Sequence, residues 1–143
     1  MAGTTACFSS LDGGAETRAK ELWGRLQGHA SWAHFDDHAG IRPGGGSHGE
    51  FIQTQVNALG AAQQQALPAG TLIIKANYAS SDPSSLESYV AMERVPGYDP
   101  RHQDWFYAEY TPRGKVTQAG APARCIACHR AGGAGDYVFY NDR

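Results

Sequence analysis

An α+β fold is predicted for this chain of 143 residues: an N-terminal helix, an antiparallel β-meander, and a short turn or helix near the C-terminus that carries two cysteines and a histidine. Three observations predict it. Apolar residues recur at helical spacing only near the start of the chain. Five later segments are short and of strand character, each closed by turn residues. Eighteen glycines and seven prolines, spread along the whole length, leave no room for the four long helices of a bundle.

The elements follow in order. Residues 1–14 are rich in Gly, Ser and Thr without periodicity, which predicts a flexible lead-in. Ala19, Leu22, Trp23, Leu26 and Ala30 then fall on one helical face, with Lys20, Glu21 and Arg25 opposite, so an amphipathic helix is expected from Glu16 to about His29. Residues 36–49 contain Pro43-Gly44-Gly45-Gly46 and form a loop. Strands are expected at 51–56, 71–78, 87–95, 104–110 and 137–140, with a brief helix over 58–67 that Pro68 and Gly70 stop. Residues 15–143 are expected to make a single domain, since the length suits one core.

Charge excludes some partners. Twelve basic residues against fourteen acidic ones give a net charge of −2, so nothing marks a nucleic-acid surface. No apolar run reaches the length of roughly 18 residues that a membrane span needs.

Cys125-Ile126-Ala127-Cys128-His129 is a C-x-x-C-H sequence, the pattern of covalent c-type haem attachment. One helical turn presents two thiols for thioether bonds, and the adjoining imidazole then reaches the iron. One covalent haem c is expected, with His129 as the iron's protein ligand. Zinc would need two further ligands at finger-like spacing, which Cys7 and the scattered histidines do not offer. Cys7, the odd cysteine, is expected to be a free thiol. Because c-type haem is attached outside the bacterial cytoplasm, a periplasmic location is expected, with an export signal in the precursor; the first residues do not resemble one.

The iron's sixth position is expected to be open or water-bound. Met92 is mid-strand and reads as core, and His34, His38, His48 and His102 lie in polar or turn-like surroundings. Coordination by Met92 would instead make the protein a simple electron carrier.

From His48 to Tyr140 the chain resembles the cytochrome P-460 family, which includes the cytochromes c′-beta. The matching stretches are Gly70-Thr71-Leu72-Ile73-Ile74-Lys75-Ala76-Asn77-Tyr78, Gly97-Tyr98-Asp99-Pro100, Asp104-Trp105-Phe106-Tyr107-Ala108, the haem motif, and Asp136-Tyr137-Val138-Phe139, in the family's order. The resemblance implies an α+β haem domain, a homodimer, a five-coordinate iron, a small redox partner protein and a small nitrogen-oxide ligand or substrate. In cytochromes P-460 proper a strand lysine bonds to the haem's meso carbon and the protein oxidises hydroxylamine; cytochromes c′-beta lack that bond and bind nitric oxide. Lys75 is the corresponding lysine. It shares a strand face with Thr71, Ile73 and Asn77, while Leu72, Ile74, Ala76 and Tyr78 share the other. Hydroxylamine-oxidising members carry a distal carboxylate shortly before the haem motif, yet residues 116–124 contain no Asp or Glu. Asp104 and Glu109 are the candidate replacements. They lie on opposite faces of one strand, so at most one enters the pocket. Phe106, on the Asp104 face, is the candidate aromatic wall of a dry pocket.

Overall fold

The computed structural model describes residues 12–35, 38–45, 48–62 and 66–140. It is α+β: six strands form one antiparallel sheet in chain order, β1 Arg42–Pro43, β2 Phe51–Val56, β3 Leu72–Tyr78, β4 Leu86–Arg94, β5 Trp105–Tyr110 and β6 Val116–Gly120. Helix α1 is Gly13–Leu26, α2 is Ala58–Ala61 and α3 is Ala123–Gly132.

Helix α1 starts three residues before the expected Glu16 and stops at Leu26, where Gly28 turns the chain at φ 86°. Its first turn carries Glu16, in an i,i+4 ion pair with Lys20 at 2.7 Å, and its last turn carries Arg25, both suited to the helix dipole. Gly13 and Gly14 therefore belong to the helix and not to a lead-in. Residues 1–11, Cys7 among them, lie outside the described residues.

Both faces of the sheet are covered. Ala19, Leu22 and Leu26 of α1 pack on Leu72, Ile74, Ala91, Phe106, Ala108 and Tyr110, the alternate residues of β3, β4 and β5. The Tyr110 hydroxyl donates to the Ala19 carbonyl at 2.8 Å. Glu93, only 4% exposed beneath the helix, accepts both Arg25 guanidinium nitrogens at 2.6 and 3.0 Å and lies 3.3 Å from Arg18. A buried carboxylate is tolerated there because it is paired twice over. The residues between them point the other way and build a second core of Val56, Ile73, Met92, Trp105, Tyr107 and Val138, with Phe35 and Leu67.

Four further expectations change. The segment 36–49, expected as a loop, contains the two-residue strand β1, which pairs Arg42 with Ile52 and Pro43 with Phe51 of β2. Residues 137–140 are not a strand: Tyr137 sits at φ 68°, its N–H bonds the Ala134 carbonyl at 2.8 Å, and the segment folds as a tail on α3. Strand β6 lies in the stretch before the haem motif, where no strand was expected. It pairs Gly120 with Tyr107, Ala119 with Ala108 and Gln118 with Glu109. The brief helix over 58–67 is only the single turn of α2, with residues 63–65 outside the described residues.

The turn between β5 and β6 depends on Gly114. It has φ 88°, and a Cβ there would lie 2.3 Å from the Trp23 indole, which stacks against Tyr89 and Tyr110. Gly114→Ala combines left-handed backbone strain with overpacking and is expected to cost about 2–4 kcal/mol in urea unfolding, with an unchanged m-value. An unchanged midpoint would show that the indole is free to move aside.

Candidate haem site

Helix α3 starts at Ala123 after Pro122, whose fixed φ of −66° suits a helix start. It ends at Gly132, and the Gly133 N–H closes it on the His129 carbonyl at 2.9 Å. Cys125, Cys128 and His129 stand at i, i+3 and i+4 and therefore share one side. All three line a cavity of about 380 Å³ between α3 and the sheet. His48, Asn77, Val90, Tyr107 and Glu109 line it from the sheet side.

His129 is 8% exposed, and its Nδ1 lies 2.9 Å from the Tyr137 carbonyl. A carbonyl only accepts, so Nδ1 carries the proton and Nε2 keeps its lone pair for a metal. Burial lowers the imidazole pKa, which favours the neutral, ligating form; the Tyr137 carbonyl opposes the lowering and Lys75 adds to it. The tail that supplies the carbonyl is pinned by Asp136. Its backbone carbonyl accepts from the Trp105 indole N–H at 2.6 Å, and its carboxylate accepts from the Leu67 N–H at 3.2 Å and from the Tyr140 hydroxyl. Phe139 closes over the imidazole edge-on, with ring centroids 5.1 Å apart.

Lys75 lies beside this cavity. It lines a narrow, mostly apolar space of about 30 Å³ with Phe35, Thr54, Ile73, Met92 and Phe139. Burial pulls its pKa down to about 8, Arg42 adds to that, and the Cys128 sulfur opposes it. The ammonium is thus unusually easy to deprotonate. Register explains its position: Thr54, Lys75, Val90, Glu109 and Gln118 form one row across five strands, all on the side away from α1.

The same row brings in Glu109, which lines the larger cavity and lies 3.3 Å from the Arg124 guanidinium. Asp104 is not there. It precedes β5 at φ 60° and accepts from the Asp99 N–H at 3.1 Å. Phe106 is on the wrong side of the sheet for a haem contact: it is fully buried against α1, with the Arg18 guanidinium 5.5 Å from its ring. Strand alternation turns Trp105, Tyr107 and Glu109 to the cavity side of the sheet, where Tyr107 and Glu109 line the cavity, and gives the helix Phe106 and Tyr110. Met92 is 6% exposed within the second core.

Sequence reasoning missed His48. Grouped with the solvated histidines, it lines both cavities and faces His129, ring centroids 6.3 Å apart. Burial, aided by Lys75, His129 and Arg124, holds its pKa down to about 3. His38, also expected in polar surroundings, is buried and lines the narrow space, its ring 5.6 Å from that of Phe35; His29 bonds Gln55, His34 the Phe35 carbonyl and His102 Asp99.

The residues fit a haem. Two thiols and an imidazole with a free Nε2 converge on one space. The Tyr107 hydroxyl and Asn77 Oδ1, from residues that line it, are buried with no hydrogen-bond partner among the described residues. Such orphaned groups are costly unless something polar reaches them.

A family model described as Cytochrome P460 matches residues 28–140. No curated protein matches the chain. The close seating of tail on helix yields a test: a Cβ on Gly133 would lie 2.6 Å from the His129 carbonyl oxygen and 2.7 Å from the Tyr137 carbonyl carbon. Gly133 has an ordinary φ of −81°, so Gly133→Ala acts by crowding alone. It is expected to destabilise by about 1–3 kcal/mol in urea unfolding. Wild-type stability in that variant would mean that the tail is not held against α3.

Proposed function

The chain belongs to the cytochrome P460 family, and on that premise we propose that it is a periplasmic monohaem c-type cytochrome acting on hydroxylamine or a related nitrogen oxide. Residues 15–143 act as its single haem domain. Haem is thioether-bonded through Cys125 and Cys128, His129 is the proximal ligand of the iron, and Lys75 is bonded to the macrocycle. Its partners are a small redox protein and a second copy of the chain. Among the described residues no helix is long and apolar enough to cross a membrane.

The observation that carries this reading is the convergence of Lys75 on the cavity system of the C-x-x-C-H helix. An amine attacks only when neutral, and burial supplies a neutral fraction near pH 8. Bond formation removes one hydrogen from the amine and one from the meso carbon. With peroxide as oxidant, these two protons and two electrons leave in two waters.

Each protein group then has a task. The Tyr137 carbonyl orients His129 through Nδ1. Glu109 is the carboxylate that lines the cavity, in reach of substrate protons, and Arg124 holds it in place. Trp105, Tyr107 and Val138 keep that side of the sheet dry. The haem, when bound, supplies the iron that takes electrons from the substrate.

The nitric-oxide-binding reading, without the lysine bond, is favoured by one observation: the Glu109 carboxylate is already engaged by the Arg124 guanidinium at 3.3 Å, which occupies an oxygen that a substrate would need.

Intact mass is expected to exceed that of the polypeptide by one haem, retained through acid extraction; haem that extracts freely would end the c-type reading. The ferrous absorption of wild type is expected to lie to the red of Lys75→Ala, with haem on the Lys75 peptide in mass mapping. The rate of bond formation after peroxide addition should rise with pH through a midpoint of about 8, because the reactive form is the deprotonated one. An ordinary c-type spectrum and a haem-free Lys75 peptide after peroxide treatment would leave nitric oxide binding as the function.

A further inference from the structure

We propose that His48 is the second axial ligand of the haem iron in the resting protein, facing His129 across the haem and released when a small molecule binds. The inference rests on the haem reading above and departs from the open sixth position that the sequence implies.

The spacing of the two rings carries it. Their centroids are 6.3 Å apart and their planes are inclined at 66°. Two imidazoles on one metal, each with a metal–nitrogen bond of about 2.0–2.1 Å and a ring centre about 1.15 Å further on, have centroids about 6.3–6.5 Å apart. A distal histidine that only hydrogen-bonds to a bound ligand would stand farther off by the size of that ligand. The inclination is no obstacle, because rotation of either ring about the bond axis leaves the bond intact.

Placement agrees with spacing. His48, Val90 and His129 line both the cavity holding the two thiols and the narrow space holding Lys75. A macrocycle tied to Cys125 and Cys128 and reaching toward Lys75 has its centre near this junction. His48 is also held from behind. Gly49 follows it at φ 152°, and its Cβ position is 3.3 Å from the Tyr78 carbonyl and 3.4 Å from the Asn77 side chain, so the chain lies close against the end of β3. Two other candidate ligands, Met92 and His38, line the narrow space as well, but the Met92 side chain is packed with Ile73 and Trp105 and the His38 ring lies against Phe35, whereas the His48 ring faces His129; His29, His34 and His102 have partners of their own.

The consequence is a gated iron. A ligand binds only to molecules in which His48 has dissociated, so apparent affinity falls by the fraction open. Carbon monoxide or nitric oxide would bind at rates that saturate with ligand concentration.

The test compares purified haem-loaded wild type with His48→Ala, each verified to carry one haem by intact mass. Wild-type ferric protein is expected to give a low-spin spectrum, by absorption and electron paramagnetic resonance. His48→Ala should be high-spin and return to low-spin on addition of imidazole. Carbon monoxide should bind ferrous wild type with a saturating rate, and should bind the variant about tenfold or more faster, since the open fraction is then complete. A high-spin wild type overturns the proposal even if the variant folds poorly, and return of the low-spin signal with imidazole in His48→Ala assigns the ligand where it folds. A high-spin wild type, or a low-spin signal that survives His48→Ala, in protein still carrying one haem, would overturn the role of His48 and leave the c-type reading standing. Haem lost on acid extraction would overturn both.

Discussion

Everything here depends on the alternation of side chains along β3, β4 and β5. Each of these strands is buried on both faces, so each serves two masters at a period of two. Leu72, Ile74, Ala91, Phe106 and Ala108 belong to α1, while Ile73, Lys75, Met92, Tyr107 and Glu109 belong to the haem side. A slip of one residue in the pairing would exchange the two sets and send Lys75 under the helix. Register is therefore the constraint that makes a site out of a sheet, and Glu93 reinforces it. Fixed in β4 opposite Phe106, that carboxylate finds Arg25 and Arg18 only if it points toward α1.

Much of this was legible in the chain, for identifiable reasons. Strands 51–56, 71–78, 87–95 and 104–110 appear within one residue of their expected limits, because alternation and turn signals bound them clearly. The two faces of β3 follow from period two alone. β6 was not legible. Its burial runs buried, exposed, half, half, buried, and a five-residue edge strand with Gly and Ala at its end has too little side chain to show a pattern. The tail misled in the opposite direction. Tyr137-Val138-Phe139-Tyr140 has strand composition, but its aromatic side chains are used for packing on His129 and Phe35 rather than for a ladder.

The candidate site divides along the same line. Cys125, Cys128 and His129 are contiguous, so local sequence suffices. Lys75 was picked out by the resemblance of its strand to the family, and Glu109 was one of two carboxylates on opposite faces of β5, between which period two alone could not choose. His48 follows a glycine-rich loop, where no periodicity says which way a side chain turns, and its neighbours in sequence are polar. Only the fold reveals that Gly49 presses that backbone against β3 and leaves the imidazole opposite His129. Phe106 and Asp104 show the converse: correct assignment of strand faces could not say which face the haem would take.

The row from Thr54 to Gln118 has a temporal meaning as well. Under the proposed attachment, Cys125 and Cys128 could be joined to haem while the chain is still unstructured, since three residues of local chain suffice. Lys75 lies fifty positions earlier and, under the same proposal, would meet the same ring only after β3 has paired with its neighbours in the correct register. The two kinds of attachment are thus ordered by chain separation, local first and distant second. A lysine–haem bond, where it forms, is a permanent mark carried only by molecules whose sheet was assembled correctly, a chemical seal set on the finished fold.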